Sequence, residues 1–190
     1  KQQLAISEST NIILFQGLIR EYKGVEFLLE AFSKYVQQNE NALLMLVGNG
    51  ERTYLNKIET LISSLSIPFT SIQKKFHFIS NQELLLLYSS ADIIVLPYKH
   101  IYQSAALMTA LSFSKPVITT NVGGFPEVIE NDVNGKLIEY GNVEQFISAL
   151  SELISDKEKR EIFGKNGFEK STKEFSWENI AEKTIDVYYQ

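Results

Sequence analysis

The strongest constraint on this chain is a set of short apolar runs that do not alternate with polar residues. Residues 12–16 (IILFQ), 42–47 (ALLMLV), 93–96 (IIVL) and 117–120 (VITT) are of this kind, with 75–79 (KFHFI) and 135–139 (GKLIE) as more polar relatives. A strand without alternation is buried on both faces, which is the condition of a parallel sheet covered by helices. Helical periodicity fills the intervals. Phe27, Leu28, Ala31, Phe32 and Tyr35 share one face of a helix expected over 24–38. Further helices are expected over 51–65, stopped by Pro68, and over 80–90 and 103–113. A short helical turn is expected at Phe125-Pro126-Glu127, and longer helices over 142–154, 157–170 and 177–189. Ser80 with Glu83, and Asn142 with Gln145, have capping-box spacing, and Asp156 and Ser176 read as single caps. Strands that alternate with helices join by right-handed crossovers. The expected fold is therefore α/β: three layers, α/β/α, around a mostly parallel, Rossmann-like sheet. The most linker-like stretch, 67–74, is too short to separate domains, so residues 1–190 read as one domain.

Composition narrows the chemistry. There are no cysteines, which removes disulfides, thiol nucleophiles and thiolate metal sites. Eighteen Lys and Arg against 23 Asp and Glu give a net charge of -5, so no global attraction to nucleic acid is expected. No apolar stretch reaches the roughly 18 residues of a spanning helix. The start, Lys1-Gln2-Gln3, has neither an initiator Met nor a signal-peptide pattern, and suggests a chain cut from something longer. Neither His77, expected inside a strand, nor His100, expected in a loop, belongs to a metal-ligand cluster. Asp92, at the amino end of its strand, reads as a turn or cap residue. Trp177 is expected to pack the last helix onto the body, with Tyr188 and Tyr189 beside it or facing a missing neighbour.

Such sheets bind ligands beyond the carboxyl ends of their strands. Gly17, Gly48 and Gly50, and the loops after 79, 97 and 120, all fall at that edge. In the segment GLIREYKG, Gly17 ends a strand, and Arg20 and Lys23 stand just before a helix, whose free N–H groups favour anions. A forked guanidinium and a mobile ammonium suit a pyrophosphate. Two solvated surface cations beside a turn glycine are the plainer reading. The spacing is neither the dinucleotide fingerprint nor a Walker A loop. Ser104-Ala105-Ala106 begins another helix at the same edge, where a hydroxyl and small side chains either admit a phosphate or simply cap the helix.

Taken in order, GLIREYKG, LVGNGE (46–51), FHFIS (76–80), YSSADIIVLP (88–97), KPVITT (115–120), GGFPE (123–127) and Asn134-Gly135 resemble the C-terminal domain of retaining GT-B glycosyltransferases, group 1 or family 4-like. The resemblance covers roughly 12–190. It implies that Arg20 and Lys23 bind the donor diphosphate and stabilise the departing charge. It implies that Gly17, Gly24, Gly48 and Gly50 line the pocket with backbone, and that Phe78, Ile79 and Ser80 hold the base. It also implies that Gln103, Ser104, Ala105, Ala106 and Leu107 approach the phosphates and sugar. The implied donor is a UDP-, GDP- or ADP-sugar, with no metal or further cofactor. The acceptor would be a glycan or lipid-linked molecule held largely by an N-terminal domain absent from this chain. The implied activity is hexosyl transfer by the longer protein, this half being inactive alone. The implied location is cytoplasmic, with membrane attachment at the inner face left to the other domain. The sequence departs from the family at two positions: Ile101 and Thr109 stand where glutamates are usual. Gln103-Ser104-Ala105 resembles a variant helix start that dispenses with one or both, and Thr109 is left to offer a hydroxyl to the ribose. A catalytically inactive nucleotide-binding or protein-interaction domain derived from such enzymes is the alternative.

Overall fold

The structure is a computed structural model that describes residues 1–39 and 41–189. Six parallel strands form one sheet in the order β3-β2-β1-β4-β5-β6. They are β1 (Asn11–Gln16), β2 (Ala42–Val47), β3 (Ile72–Lys75), β4 (Ile93–Leu96), β5 (Val117–Thr120) and β6 (Lys136–Ile138). The central strands are buried throughout, from Ile12 to Phe15, Ala42 to Val47, Ile93 to Leu96 and Val117 to Thr120. That burial is the physical counterpart of their unbroken apolar runs. The helices are α1 (Val25–Val36), α2 (Arg52–Ser64), α3 (Asn81–Ser90), α4 (Ala105–Ser112), α5 (Phe125–Val128), α6 (Val143–Ser155), α7 (Lys157–Glu174) and α8 (Trp177–Tyr188).

Helix α1 turns Val25, Leu28, Leu29 and Phe32 fully inward, and full burial of such side chains stabilises by about 1.5–3 kcal/mol each. Phe27 sets its ring edge against Phe146 of α6, centroids 6.0 Å apart. The capping box at Ser80 is complete: the Ser80 hydroxyl accepts from the Glu83 amide, and the Glu83 carboxylate accepts from the Ser80 amide. At Asn142 it is half formed. The Asn142 side chain accepts from the Gln145 amide, but the Gln145 side chain accepts from the Glu139 amide instead of returning to the cap. Asp156 and Ser176 cap α7 and α8. The Asp92 carboxylate accepts from the Ile12 amide at 2.8 Å and pairs with Lys1, so it ties β4 to β1 at the amino edge.

Two expectations are corrected. The third strand is not 75–79 but Ile72–Lys75, which takes in the end of the linker-like stretch and only the first residue of the expected run. It pairs with β2 from Leu44 opposite Ile72 to Val47 opposite Lys75, and β2 ends there. Residues beyond Lys75 have no strand to pair with, so the apolar run leaves the sheet and Phe78 is 82% exposed. As an edge strand, β3 meets a neighbour on one side only and carries polar residues and lysines accordingly. Trp177 does not pack α8 onto the body: it is 85% exposed, and α8 contains no buried residue.

Candidate functional site

The loops leaving β1, β2 and β4 meet at the carboxyl edge. Hydrogen bonding continues past the strand ends: the Gly17 amide donates to Val47, Ile19 to Asn49 and Gly48 to Lys75. Gly17, Gly48 and Gly50 are thereby brought together. A Cβ on Gly48 would lie 1.8 Å from the Gly17 carbonyl oxygen, and Gly48 has φ +142. No L side chain fits there without separating the two loops.

After Ile19 the chain forms a single 3-10 turn, Glu21–Lys23, and Gly24 takes the left-handed conformation at φ +69 before α1 begins. The Lys99 amide donates to the Tyr22 carbonyl at 2.7 Å, which fastens this turn to the loop after β4. Gly24 lies so close to that loop that a Cβ would stand 1.8 Å from the Pro97 carbonyl oxygen. The result is a buried cation. Lys23 is 9% exposed, and its Nζ lies 3.8 Å from the centroid of the Tyr98 ring and 5.2 Å from that of Tyr22. It forms no ion pair among the described residues, and burial pushes its pKa down to about 8. The adjacent carboxylate, Glu21, is engaged by Lys99 at 3.0 Å, and that bond lowers the Glu21 pKa. Arg20 is exposed, three residues before Lys23 on the same loop, and its guanidinium makes no hydrogen bond or ion pair among the described residues.

The third part of this edge is the start of α4. The Ser104 hydroxyl accepts from the Leu107 amide at 3.3 Å and caps the helix, leaving the first-turn amides of Ala105 and Ala106 without intrahelical partners. Gln103 and Ala105 are exposed. Leu107 is turned into the core at 2% exposure, and its amide is engaged by the cap. The Thr109 hydroxyl donates to the Ala105 carbonyl at 2.9 Å, so only its lone pairs face outward for a ligand. Ile101 is half-buried, and its carbonyl lies where a Cβ on Gly123 would stand, 1.5 Å away. Ser80 is the cap of α3 and Ile79 is half-buried. His77 is exposed, its ring Nδ1 2.8 Å from the Phe78 carbonyl oxygen.

The structure thus joins Arg20, Lys23 and Gly24 to the loop that leads into Ser104, and sets Gly17, Gly48 and Gly50 beside them. Phe78–Ser80 follow at the next strand end, since the Gly48 amide reaches the Lys75 carbonyl. A separate cavity of about 630 Å³ lies between α4, α5 and the α7–α8 end, lined by Met108, Phe168, Phe175, Trp177 and Ile180. It shares with the loop cluster at the sheet edge only Gln103, Ser104, Ala105 and Leu107. Among the described residues, no group of three acidic or histidine side chains is arranged to hold a metal ion.

Sequence reasoning missed Tyr98 and Tyr22. Tyr98 is fully buried, its carbonyl accepts from the Thr120 hydroxyl at 2.6 Å, and its ring packs on Phe125 with centroids 5.3 Å apart. Tyr22 stacks on His100 at 5.5 Å. A tyrosine after the strand-ending Pro97 belongs to no periodicity and no recognised spacing. Its importance arises only because Lys23, some 75 positions earlier by sequence number, lies across it.

Comparisons with known proteins agree with this architecture. Over 189 residues the chain is 29% identical to an uncharacterised glycosyltransferase of Methanocaldococcus jannaschii, covering 99% of this chain and 47% of that protein. The chain spans about half the length of the curated relatives it matches. Among solved structures, the C-terminal domain of a glycosyl transferase group 1 family protein (LpcC) from Francisella tularensis aligns with TM-score 0.79 and 23% identity, over 93% of this chain and 91% of that one. Anabaena HepE in complex with UDP aligns with TM-score 0.88 and 19% identity, over 99% of this chain and 50% of that one. The sequence profile described as glycosyl transferases group 1 matches residues 1–170, and the chain belongs to that family.

Proposed function

We propose that this chain is the nucleotide-sugar-binding part of a longer glycosyltransferase, and that Lys23 and Arg20 receive the donor's diphosphate. The observation that carries this reading is Lys23 itself: a largely buried ammonium at the ligand edge of the sheet, with no carboxylate partner among the described residues. A desolvated cation without a counter-ion is costly unless an anion arrives to meet it. The start of α4 supplies amides and a positive dipole end to the same anion. When the sugar–phosphate bond breaks, charge grows on the leaving diphosphate, and the fixed ammonium and the guanidinium stabilise it without proton transfer. UDP in the complex of Anabaena HepE supports a uridine nucleotide as the first donor to try, with GDP and ADP beside it. Transfer with retention to a glycan or lipid-linked acceptor, by a protein carrying a further acceptor domain, extends the reading to the whole enzyme.

The test is calorimetric titration of the chain with UDP, GDP and ADP, repeated on Lys23→Ala and Arg20→Ala. One diphosphate is expected to bind, and both substitutions to weaken it. A folded sample that binds none of the three would overturn the reading. A second reading, a nucleotide-binding relative without turnover, is favoured by Ile101 and by the Thr109 hydroxyl bonded back to Ala105. Donor hydrolysis by the longer protein separates the two.

A further inference from the structure

We propose that Tyr98 is the positioning residue of the donor site, its ring serving as a fixed platform on which the Lys23 ammonium stays seated both before and after the diphosphate binds. This rests on the donor-site reading above. The contact is short, 3.8 Å from nitrogen to ring centroid, where an aromatic face attracts a cation most strongly when water is excluded. The platform is itself immobilised. Thr120 of β5 holds the Tyr98 carbonyl, Phe125 of α5 packs on the ring, and Tyr22 closes it edge-on with centroids 6.3 Å apart. Tyr98 is completely buried, and its hydroxyl has no well-formed hydrogen bond among the described residues, with Ser104 as its polar neighbour. The hydroxyl therefore contributes little to the hold on Lys23, and the ring face is the functional part. A lysine has four rotatable bonds to restrict on meeting a phosphate, and a seat present beforehand removes most of that cost. Three protons on the ammonium leave the side away from the ring free to meet phosphate oxygens.

The titratable groups around Lys23 are Tyr22 and Tyr98, His100 stacked on Tyr22, the Glu21–Lys99 pair, and Tyr140, whose ring borders Gly24. No carboxylate among them is left to replace the ring in holding the ammonium.

The decisive experiment follows the lysine side-chain carbons by NMR in the wild-type chain, with Lys23 assigned through Lys23→Met, together with UDP titration of Tyr98→Leu and Tyr98→Phe. An upfield ring-current shift at the Lys23 Cε protons is expected in the free chain and again with UDP bound. Tyr98→Leu should abolish that shift, move the lysine titration to lower pH and weaken UDP about 3- to 30-fold, the range of a cation–aromatic contact. Tyr98→Phe should restore all three. A free wild-type chain without the ring-current shift would overturn the platform even if Tyr98→Leu failed to fold. So would a shift lost on UDP binding, or a Tyr98→Phe variant as weak as Tyr98→Leu. A ring-shifted Lys23 in a chain that binds no nucleotide would instead sink the donor-site reading and leave the contact standing.

Discussion

Replacing Gly24 by alanine tests whether the two loops that frame Lys23 are as close as they stand. Two costs arise. Alanine at φ +69 pays the left-handed penalty of an L residue, about 1–2 kcal/mol. Its Cβ also falls 1.8 Å from the Pro97 carbonyl oxygen, a backbone atom that no rotamer change can move away. The β1–α1 and β4–α4 loops must part by roughly 1.5 Å to recover an ordinary contact, and overpacking of this kind costs about 1–3 kcal/mol more. Gly24→Ala should therefore destabilise by about 2–5 kcal/mol. Gly141→Ala is the internal control. Gly141 has φ +85, but nothing lies within 4 Å of its Cβ position, so it should pay only the first cost. Urea unfolding followed by far-UV circular dichroism gives both values by linear extrapolation. Equal losses at the two sites, within about 0.5 kcal/mol, would refute the close approach. In Gly24→Ala the parting loops also draw Lys23 away from Tyr98, so UDP affinity should fall along with stability. Gly141→Ala should lose stability alone.

Three further outcomes are expected. Lys23 must be protonated to meet a diphosphate, and in the free chain burial holds its pKa at about 8. Above the second ionisation of the terminal phosphate, at about pH 6 to 7, UDP affinity should therefore be level up to about pH 8 and weaken as pH rises through it, approaching tenfold per unit; calorimetry at stepped pH should show this upper limb, and show it missing in Lys23→Met. Asn134 is buried and bridges the Glu130 amide at 2.8 Å to the Val128 carbonyl at 3.0 Å, so Asn134→Ala strands both groups and should cost about 2–3 kcal/mol in urea unfolding. Ser80→Ala removes one half of a complete capping box and should cost about 1 kcal/mol, visible as a lowered thermal midpoint.

Much of the fold was legible because its signals are local. Unbroken apolar runs mark strands covered on both faces, and β1, β2, β4 and β5 lie where those runs lie. Caps at Ser80, Asp156 and Ser176 need only two or three neighbouring residues to be recognised. The edge strand was misread because its faces are only partly covered, so its residues need not form an unbroken apolar run. Ile72–Lys75 is a strand through its hydrogen bonds to β2, while the more apolar residues after it run past the end of their partner. Trp177 was misread because size and hydrophobicity do not bury a side chain that borders an open cavity, with no neighbour packed against it closely enough to cover it.

The sequence by itself determined the layered α/β architecture, the order of glycine-ended strands, and the placing of Arg20, Lys23 and Ser104 at one edge of the sheet. Those follow from periodicity, turn chemistry and the rule that parallel strands deliver their loops to a common side. Only the tertiary structure decided that Lys23 is buried on the face of Tyr98, and that Thr109 turns its hydroxyl back on its own helix. Burial and counter-ions belong to segments distant in sequence, brought within a few ångströms by the crossovers, and no local pattern of residues records them.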